Sequence, residues 1–390
     1  ISEAIHPSAS VPWLSYGHPK LLVSSGVLAW CALVAVALIL FGFAMFLLRK
    51  CIQGPRYTKK NRIDGKIVII TGCNTGIGKQ TALELARRGA TIYMGCRDAA
   101  RCEAARLEII EQTHNQNVHN RTLDLASLAS VRQFATQFLR EEQRLDLLIN
   151  NAGIMATPRK LTVDGYEQQF AVNHLGHFLL TRLLLEPLKQ SAPSRIVVLS
   201  SAAALLGRIN RKDLQSERKY SKFLGAYCQS KLANILFTRK LAELLVGTKV
   251  TVNCCHPGIV RTELGRYNQC PRWLWSGLMC IGRFAAKSPQ AGAQTTLRLA
   301  LDPALETSSG GYYSDCMRFP LPPWSKNKET ADWLWQESEK LVGLSNDTSA
   351  IETVSTTNHK SLKPCFYAFL MIFFSFKHNS CQVVKVGGGG

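Results

Sequence analysis

Lys66-Ile67-Val68-Ile69-Ile70-Thr71-Gly72-Cys73-Asn74-Thr75-Gly76-Ile77-Gly78 is the stretch that decides the fold. Lys66–Thr71 is a continuous β-branched, apolar run of the kind that a parallel sheet buries on both faces. The glycines that follow, Gly72, Gly76 and Gly78, stand in the spacing G-x-x-x-G-x-G, with Asn74, Thr75 and Ile77 between them. Glycine at these points lets the backbone turn sharply and come close to a pyrophosphate. A helix starting at Gly76 then aims its free N–H groups at the anion. At ordinary glycine frequency, chance supplies about 0.1 such matches in a chain of this size.

Working outward, strand-like runs alternate with amphipathic helical patterns. Thr91–Gly95, Val118–Asp124, Leu145–Asn150, Arg195–Ser200 and Lys249–His256 read as further strands, and Gly76–Gly89, Leu128–Glu142 and Gly225–Leu245 as helices. That alternation predicts an α/β fold: one Rossmann-like doubly wound parallel sheet in a single catalytic domain, residues 64–344. The second strand ends in Met94-Gly95-Cys96-Arg97-Asp98. NAD-preferring domains place a carboxylate at this strand end for the ribose 2′-OH. Cys96 stands there instead and Arg97 follows, which suits a 2′-phosphate and predicts NADP(H); the alternative is a surface arginine that opens a helix.

Before this domain, Leu21–Leu48 is 28 residues without a charge, long enough for a transmembrane helix and too long for the apolar part of a signal peptide. Residues 1–20 precede it, and a basic linker, residues 49–63, follows with Arg49, Lys50, Arg56, Lys59, Lys60 and Arg62. Positive charge on the C-terminal side predicts a single-pass anchor with the catalytic domain in the cytosol. Sequons at Asn120 and Asn346 give that topology a test, because a glycan at either contradicts it. The formal charge of +20 attracts anionic lipid, cofactor or nucleic acid alike. No nucleic-acid motif accompanies it, so no nucleic-acid partner is expected. The 13 cysteines follow no metal or disulfide pattern and read mostly as reduced, buried small hydrophobes; no metal site is expected. Residues 345–390 form a polar tail with a short apolar run, Cys365–Phe376, too short to span a bilayer.

Tyr227-Cys228-Gln229-Ser230-Lys231 sets a Tyr and a Lys at i, i+4, on one helix face. A nearby ammonium and a cationic nicotinamide both favour the phenolate, so together they are expected to bring the tyrosine pKa down from about 10. Chance alone gives roughly 0.6 such pairs here, and the position after the fifth strand is what gives the pair weight.

Taken together, Thr71–Gly78, Asp124, Asn150-Asn151-Ala152-Gly153, Asn173, Ser201, Tyr227-x-x-x-Lys231 and Pro257-Gly258 resemble the classical short-chain dehydrogenase/reductase family, in family order over about residues 64–343. Val172–Phe178, Tyr227–Asn234 and Tyr313–Cys316 are similar to the group of retinol dehydrogenases numbered eleven to fourteen. The resemblance implies a catalytic set of Asn173, Ser201, Tyr227 and Lys231: Tyr227 as acid/base, Lys231 on its pKa and the nicotinamide ribose, Ser201 on the substrate oxygen, Asn173 holding a relay water. It also implies cofactor contacts from the Gly72–Gly78 loop, Arg97, Asp124, Leu125, Asn151, Ala152 and Gly153, with Pro257, Gly258 and Thr262 at the nicotinamide end. Ser200 stays a rival of Ser201. Asp124 reads equally as a helix cap, Asn150 and Asn151 as turn formers, and His174 and His177 as structural.

The resemblance further implies hydride transfer between NADP(H) and a lipophilic carbonyl or alcohol, all-trans-retinaldehyde and retinol first, in the endoplasmic reticulum membrane. Reduction of other lipid aldehydes or steroids is the alternative, a non-catalytic cofactor-binding scaffold a more distant one, and a homodimer is left open. Where those relatives carry a histidine pair after the serine, this chain has Ala202-Ala203-Ala204-Leu205-Leu206, which places the substrate-side departure around Ala204 and Leu205. Trp273, Leu274, Trp275, Leu278, Met279 and Phe284 form an apolar lid segment or a membrane-docking patch.

Overall fold

The structure is a computed structural model; it describes residues 25–218, 220, 225–265 and 286–344. The chain divides into two units, Ile1–Cys51 and Ile52–Gly390. In the first, α1 (Ser25–Gln53) begins, and its Trp30–Gln53 stretch is long and apolar enough to cross a membrane, with its large apolar side chains exposed. The helix fits a single-pass anchor, since exposed Leu, Ile and Phe around a whole helix need an apolar solvent.

The second unit is the doubly wound sheet that the alternation predicts. β1 (Ile67–Thr71), β2 (Thr91–Cys96), β3 (Val118–Thr122), β4 (Leu147–Asn150), β5 (Ser194–Leu199), β6 (Val250–His256), β7 (Tyr312–Ser314) and β8 (Met317–Arg318) form one sheet in the order 3-2-1-4-5-6-7-8. Every neighbouring pair is parallel except β7 and β8. The helices are α2 (Gly76–Arg87), α3 (Ala99–Thr113), α4 (Leu128–Glu141), α5 (Gln168–Phe170), α6 (Gly176–Leu183), α7 (Leu185–Gln190), α8 (Gly225–Leu244), α9 (Pro289–Gly292), α10 (Gln294–Leu301) and α11 (Lys328–Leu341).

Burial explains the unbroken apolar run of β1. Ile67 and Ile69 join one core with Phe134, Phe138, Phe178 and Leu236, while Val68 and Ile70 join the core on the opposite face with Leu85, Ile92, Ile109 and Leu297. Alternate residues of a strand point to opposite faces, so a strand covered by helices on both sides must be apolar throughout. Each such side chain contributes on the order of 1.5–3 kcal/mol.

Three features differ from expectation. The third strand stops at Thr122 rather than Asp124, because Asp124 leaves the ladder and accepts the Ala126 N–H on its own carboxylate. The β7–β8 hairpin lies in a polar, glycine-rich stretch with no strand periodicity. Cys96 and Cys102 are bonded to each other, an exception among cysteines that are mostly free: the turn from β2 into α3 folds them to a Cα–Cα distance of 6.0 Å, within disulfide range. Cys73, Cys228, Cys254, Cys255 and Cys316 are free and buried.

Candidate active site

The loop after β1 is held from below by Thr71. The Thr71 hydroxyl oxygen accepts the N–H groups of Asn151 (2.9 Å) and Ala152 (3.0 Å), and it lies 2.8 Å from His177 Nε2. The direction of that last bond follows from the other ring nitrogen. His177 Nδ1 faces the Asn173 carbonyl at 3.1 Å and must donate, so Nε2 accepts from the threonine. Burial holds the imidazole down to about 3, so it stays neutral. Asn151 closes the loop with its side chain, donating to the carbonyls of Thr71 and Gly72. Asn151 is thus a brace between β1 and β4, more than a turn former.

Gly72 and Gly76 take φ of +64° and +60°, and a Cβ on Gly78 would lie 2.5 Å from the Gly72 carbonyl oxygen. Glycine is therefore required at these points by the loop's own packing. Thr75, the residue before α2, makes no side-chain cap, so the first N–H groups of that 12-residue helix face outward at its positive end. A phosphate fits this position. Thr262 packs beside Gly76, which brings it to the phosphate loop. At the end of β2, Arg97 is exposed, while Asp98 turns its carboxylate onto the Arg101 N–H and caps α3. The nearest acid is therefore engaged. Leu125 is buried, with its carbonyl packed against Gly176. The α4 cap is Ser127, not Asp124.

Asn173, Ser201 and the Tyr227–Lys231 pair come from three separate segments and meet beside Gly153. Asn173 sits in a π turn, Ala171–Leu175, between α5 and α6. Such turns re-aim single side chains. Its amide is held in place: Oδ1 accepts from Ile154 N at 2.9 Å, and Nδ2 donates to Ile154 O at 3.0 Å and Ser230 Oγ at 2.9 Å. One acceptor site remains on Oδ1. Tyr227 and Lys231 lie one turn apart on α8, 4% and 3% exposed. Lys231 Nζ donates to the Leu199 carbonyl at 3.1 Å, the one bond it makes among the described residues. Two of its three donors are left facing the region of Gly153, and a Cβ there would sit 3.3 Å from both Nζ and Asn173 Oδ1.

The expected lowering of the Tyr227 pKa does not occur in the protein by itself. Burial pushes the phenol up to about 12, and its hydrogen bond with Ser201 opposes this only in part. Lys231 Nζ lies 5.9 Å from the phenol ring centroid, and burial brings its own pKa down to about 8. Desolvation outweighs the pairing of the two groups.

Ser201 and its rival separate cleanly. Ser200 is buried and donates to the Lys231 carbonyl at 2.7 Å, which fixes α8 against β5. Ser201 is the one that bonds the Tyr227 side chain. The 3-10 turn after it, Ala202–Leu206, corrects the reading of the substrate side: Ala204 and Leu205 pack into the core beneath. Ala203 instead joins Tyr227, Cys228 and Met155 in an apolar cluster beside the phenol. His174 is structural, its ring set between Asn234 and Ser338. The proposed lid residues Trp273, Leu274, Trp275, Leu278, Met279 and Phe284 lie outside the described residues, as do residues 1–20 and 345–390. Sequence reasoning missed His256 and Tyr312, and the bracing contacts of Thr71 and Ser230, which join residues far apart in sequence and leave no local pattern.

The chain is similar to known proteins. The short chain dehydrogenase family profile matches residues 66–270. Retinol dehydrogenase 13 of Homo sapiens is 50% identical over 303 residues, 77% of this chain and 92% of that protein. Retinol dehydrogenase 11 of Mus musculus is 50% identical over 300 residues, covering 77% and 93%. A short chain dehydrogenase from Escherichia coli CFT073, solved in complex with NADPH, is 25% identical with a TM-score of 0.53, covering 66% of this chain and 99% of that one. The chain belongs to the short-chain dehydrogenase/reductase family, a fold that binds a nicotinamide cofactor, within the group of retinol dehydrogenases 11 to 14.

Proposed function

We propose that the chain is an NADP(H)-dependent oxidoreductase acting on a lipophilic carbonyl/alcohol pair, with all-trans-retinaldehyde and retinol as the favoured pair. The observation that carries this reading is the convergence of Tyr227, Ser201 and Lys231 at the carboxyl ends of β4 and β5, beside the Gly72–Gly78 loop. When bound, the nicotinamide supplies or accepts the hydride. The phenol of Tyr227, neutral at pH 7 because burial raises its pKa, donates a proton to the carbonyl oxygen during reduction. The Ser201 hydroxyl holds that oxygen. Lys231 offers its two remaining donors to ribose hydroxyls, and Asn173 fixes the Gly153–Ile154 backbone against them. Arg97, with no competing carboxylate turned toward it among the described residues, favours the 2′-phosphate of NADP(H). Ala203, Met155 and Cys228 give the substrate an apolar wall without hydrogen-bonding groups of its own kind, which suits a polyene.

The names of the relatives support the retinoid, and α1 supports delivery from a bilayer. The basic residues Arg49–Arg62 on its C-terminal side support a cytosol-facing domain, with the endoplasmic reticulum as the membrane. The decisive experiment incubates microsomes carrying the full chain with NADPH and all-trans-retinaldehyde, beside a panel of lipid aldehydes and the Tyr227→Phe variant. Retinol formation that Tyr227→Phe abolishes is expected. Absence of Tyr227-dependent turnover of every carbonyl overturns the enzyme reading; turnover of other aldehydes alone overturns the retinoid.

A further inference from the structure

β6 ends at His256, and β7 starts at Tyr312 in register two strand positions away from it. Both side chains reach the same peptide unit. His256 Nδ1 accepts the Ala202 N–H at 3.1 Å, and the Tyr312 hydroxyl donates to the Ser201 carbonyl oxygen at 3.2 Å. That carbonyl and that N–H are the two polar ends of one planar group, the Ser201–Ala202 peptide bond. A peptide plane held at both ends cannot rotate, so the backbone of Ser201 is fixed on its C-terminal side. Ser201 is the residue whose hydroxyl bonds the Tyr227 phenol.

We propose that His256 and Tyr312 are positioning residues, a two-sided clamp on the Ser201–Ala202 peptide that aims the Ser201 hydroxyl at Tyr227 and the substrate oxygen. The inference rests on the oxidoreductase reading for its effect on turnover, but not for the clamp itself. The clamp needs an imidazole whose Nδ1 is bare. The surroundings keep it so: burial holds His256 down to about 4, with Lys287 acting in the same direction and Asp315 against it. Lys287 and Asp315 also pair with each other, and their opposite pulls on the ring offset one another. Tyr312 is buried as well, and burial keeps its phenol protonated and able to donate.

The test uses the full chain with His256→Asn, His256→Phe and Tyr312→Phe. The amide oxygen of asparagine falls where Nδ1 was and still accepts; phenylalanine keeps the ring and accepts nothing. His256→Phe should lower kcat by about 10- to 100-fold with KM for NADPH within about 3-fold of wild type, the size expected for a misaimed group. His256→Asn should restore kcat to within about 3-fold, and Tyr312→Phe should fall between. Amide hydrogen exchange at Ala202 reads the clamp without any substrate: it should speed up in His256→Phe and stay slow in His256→Asn. Equal kcat in the Phe and Asn variants, or unchanged exchange at Ala202 in His256→Phe, overturns the proposal. A wild-type chain that turns over no carbonyl sinks the oxidoreductase reading instead, and the exchange result still decides the clamp.

Discussion

Replacing Thr71 by valine removes one oxygen and leaves the shape of the side chain almost intact. Thr71 is fully buried, so water cannot take over its bonds. Its hydroxyl oxygen accepts from Asn151 N and Ala152 N and donates to His177 Nε2. The valine leaves the Ala152 N–H and one ring acceptor without partners, while the Asn151 N–H keeps the Ile149 carbonyl at 3.0 Å. An orphaned buried group costs about 1–3 kcal/mol, so the Ala152 N–H and the ring nitrogen together account for roughly 2–6 kcal/mol. Against a total of about 5–15 kcal/mol for a typical domain, that is a large fraction. Thr71→Ser keeps the oxygen and loses one methyl, worth about 1 kcal/mol. Urea unfolding of the full chain in mild detergent measures both. The serine variant should stay close to wild type, while the valine variant unfolds at much lower urea with an unchanged m-value. A valine variant no less stable than the serine variant would refute the hub, and with it the tautomer assigned to His177.

Acid should unfold the protein early. His174, His177 and His256 are held near 4, 3 and 4, against 6.5 when exposed, so the unfolded chain takes up protons that the folded one refuses. The folded values are depressed, so stability is complete above pH 6.5 and falls below it, approaching about 4 kcal/mol per pH unit for three protons; a flat urea midpoint between pH 6.5 and 5 would contradict this. Ser201→Ala should cut kcat by about 10²-fold or more, while Ser200→Ala should cost about 1 kcal/mol of stability by losing its bond to the Lys231 carbonyl; the reverse pattern in paired kinetics and melts would exchange the two serines. Arg97→Asp should move the preference from NADPH toward NADH, read as the ratio of kcat/KM for the two cofactors, and an unchanged ratio would remove Arg97 from the 2′-phosphate.

The sheet was legible because burial on both faces writes a plain signal, and β1 through β6 lie within two or three residues of where their apolar runs predict. The glycines of the phosphate loop were legible for the same kind of reason: φ values of +64° and +60° exclude most other residues. β7 was not, since three residues in a glycine-rich stretch carry no period. His256 and Tyr312, and the bracing role of Thr71, escaped because each acts on partners more than fifty residues away. The direction of Ala204 and Leu205 was misread because a 3-10 turn presents adjacent residues to different sides, so only the folded chain reveals that Ala203 faces the phenol.

The junction of β1 with β4 joins residues far apart in sequence through three residue pairs, Val68 with Leu147, Ile69 with Leu148 and Ile70 with Ile149. β1–β3 and β4–β6 pair locally on either side, so this seam is where the two halves of the sheet meet. The glycine loop rises from one side of the seam, and Asn151 to Gly153 from the other. A nicotinamide dinucleotide that touches both halves would therefore act as a staple across that join. By mass action, cofactor at 100 times its Kd would add about 2.7 kcal/mol to the folded state. Cofactor supply then governs how much of the chain survives in the cell, as well as how fast it turns over.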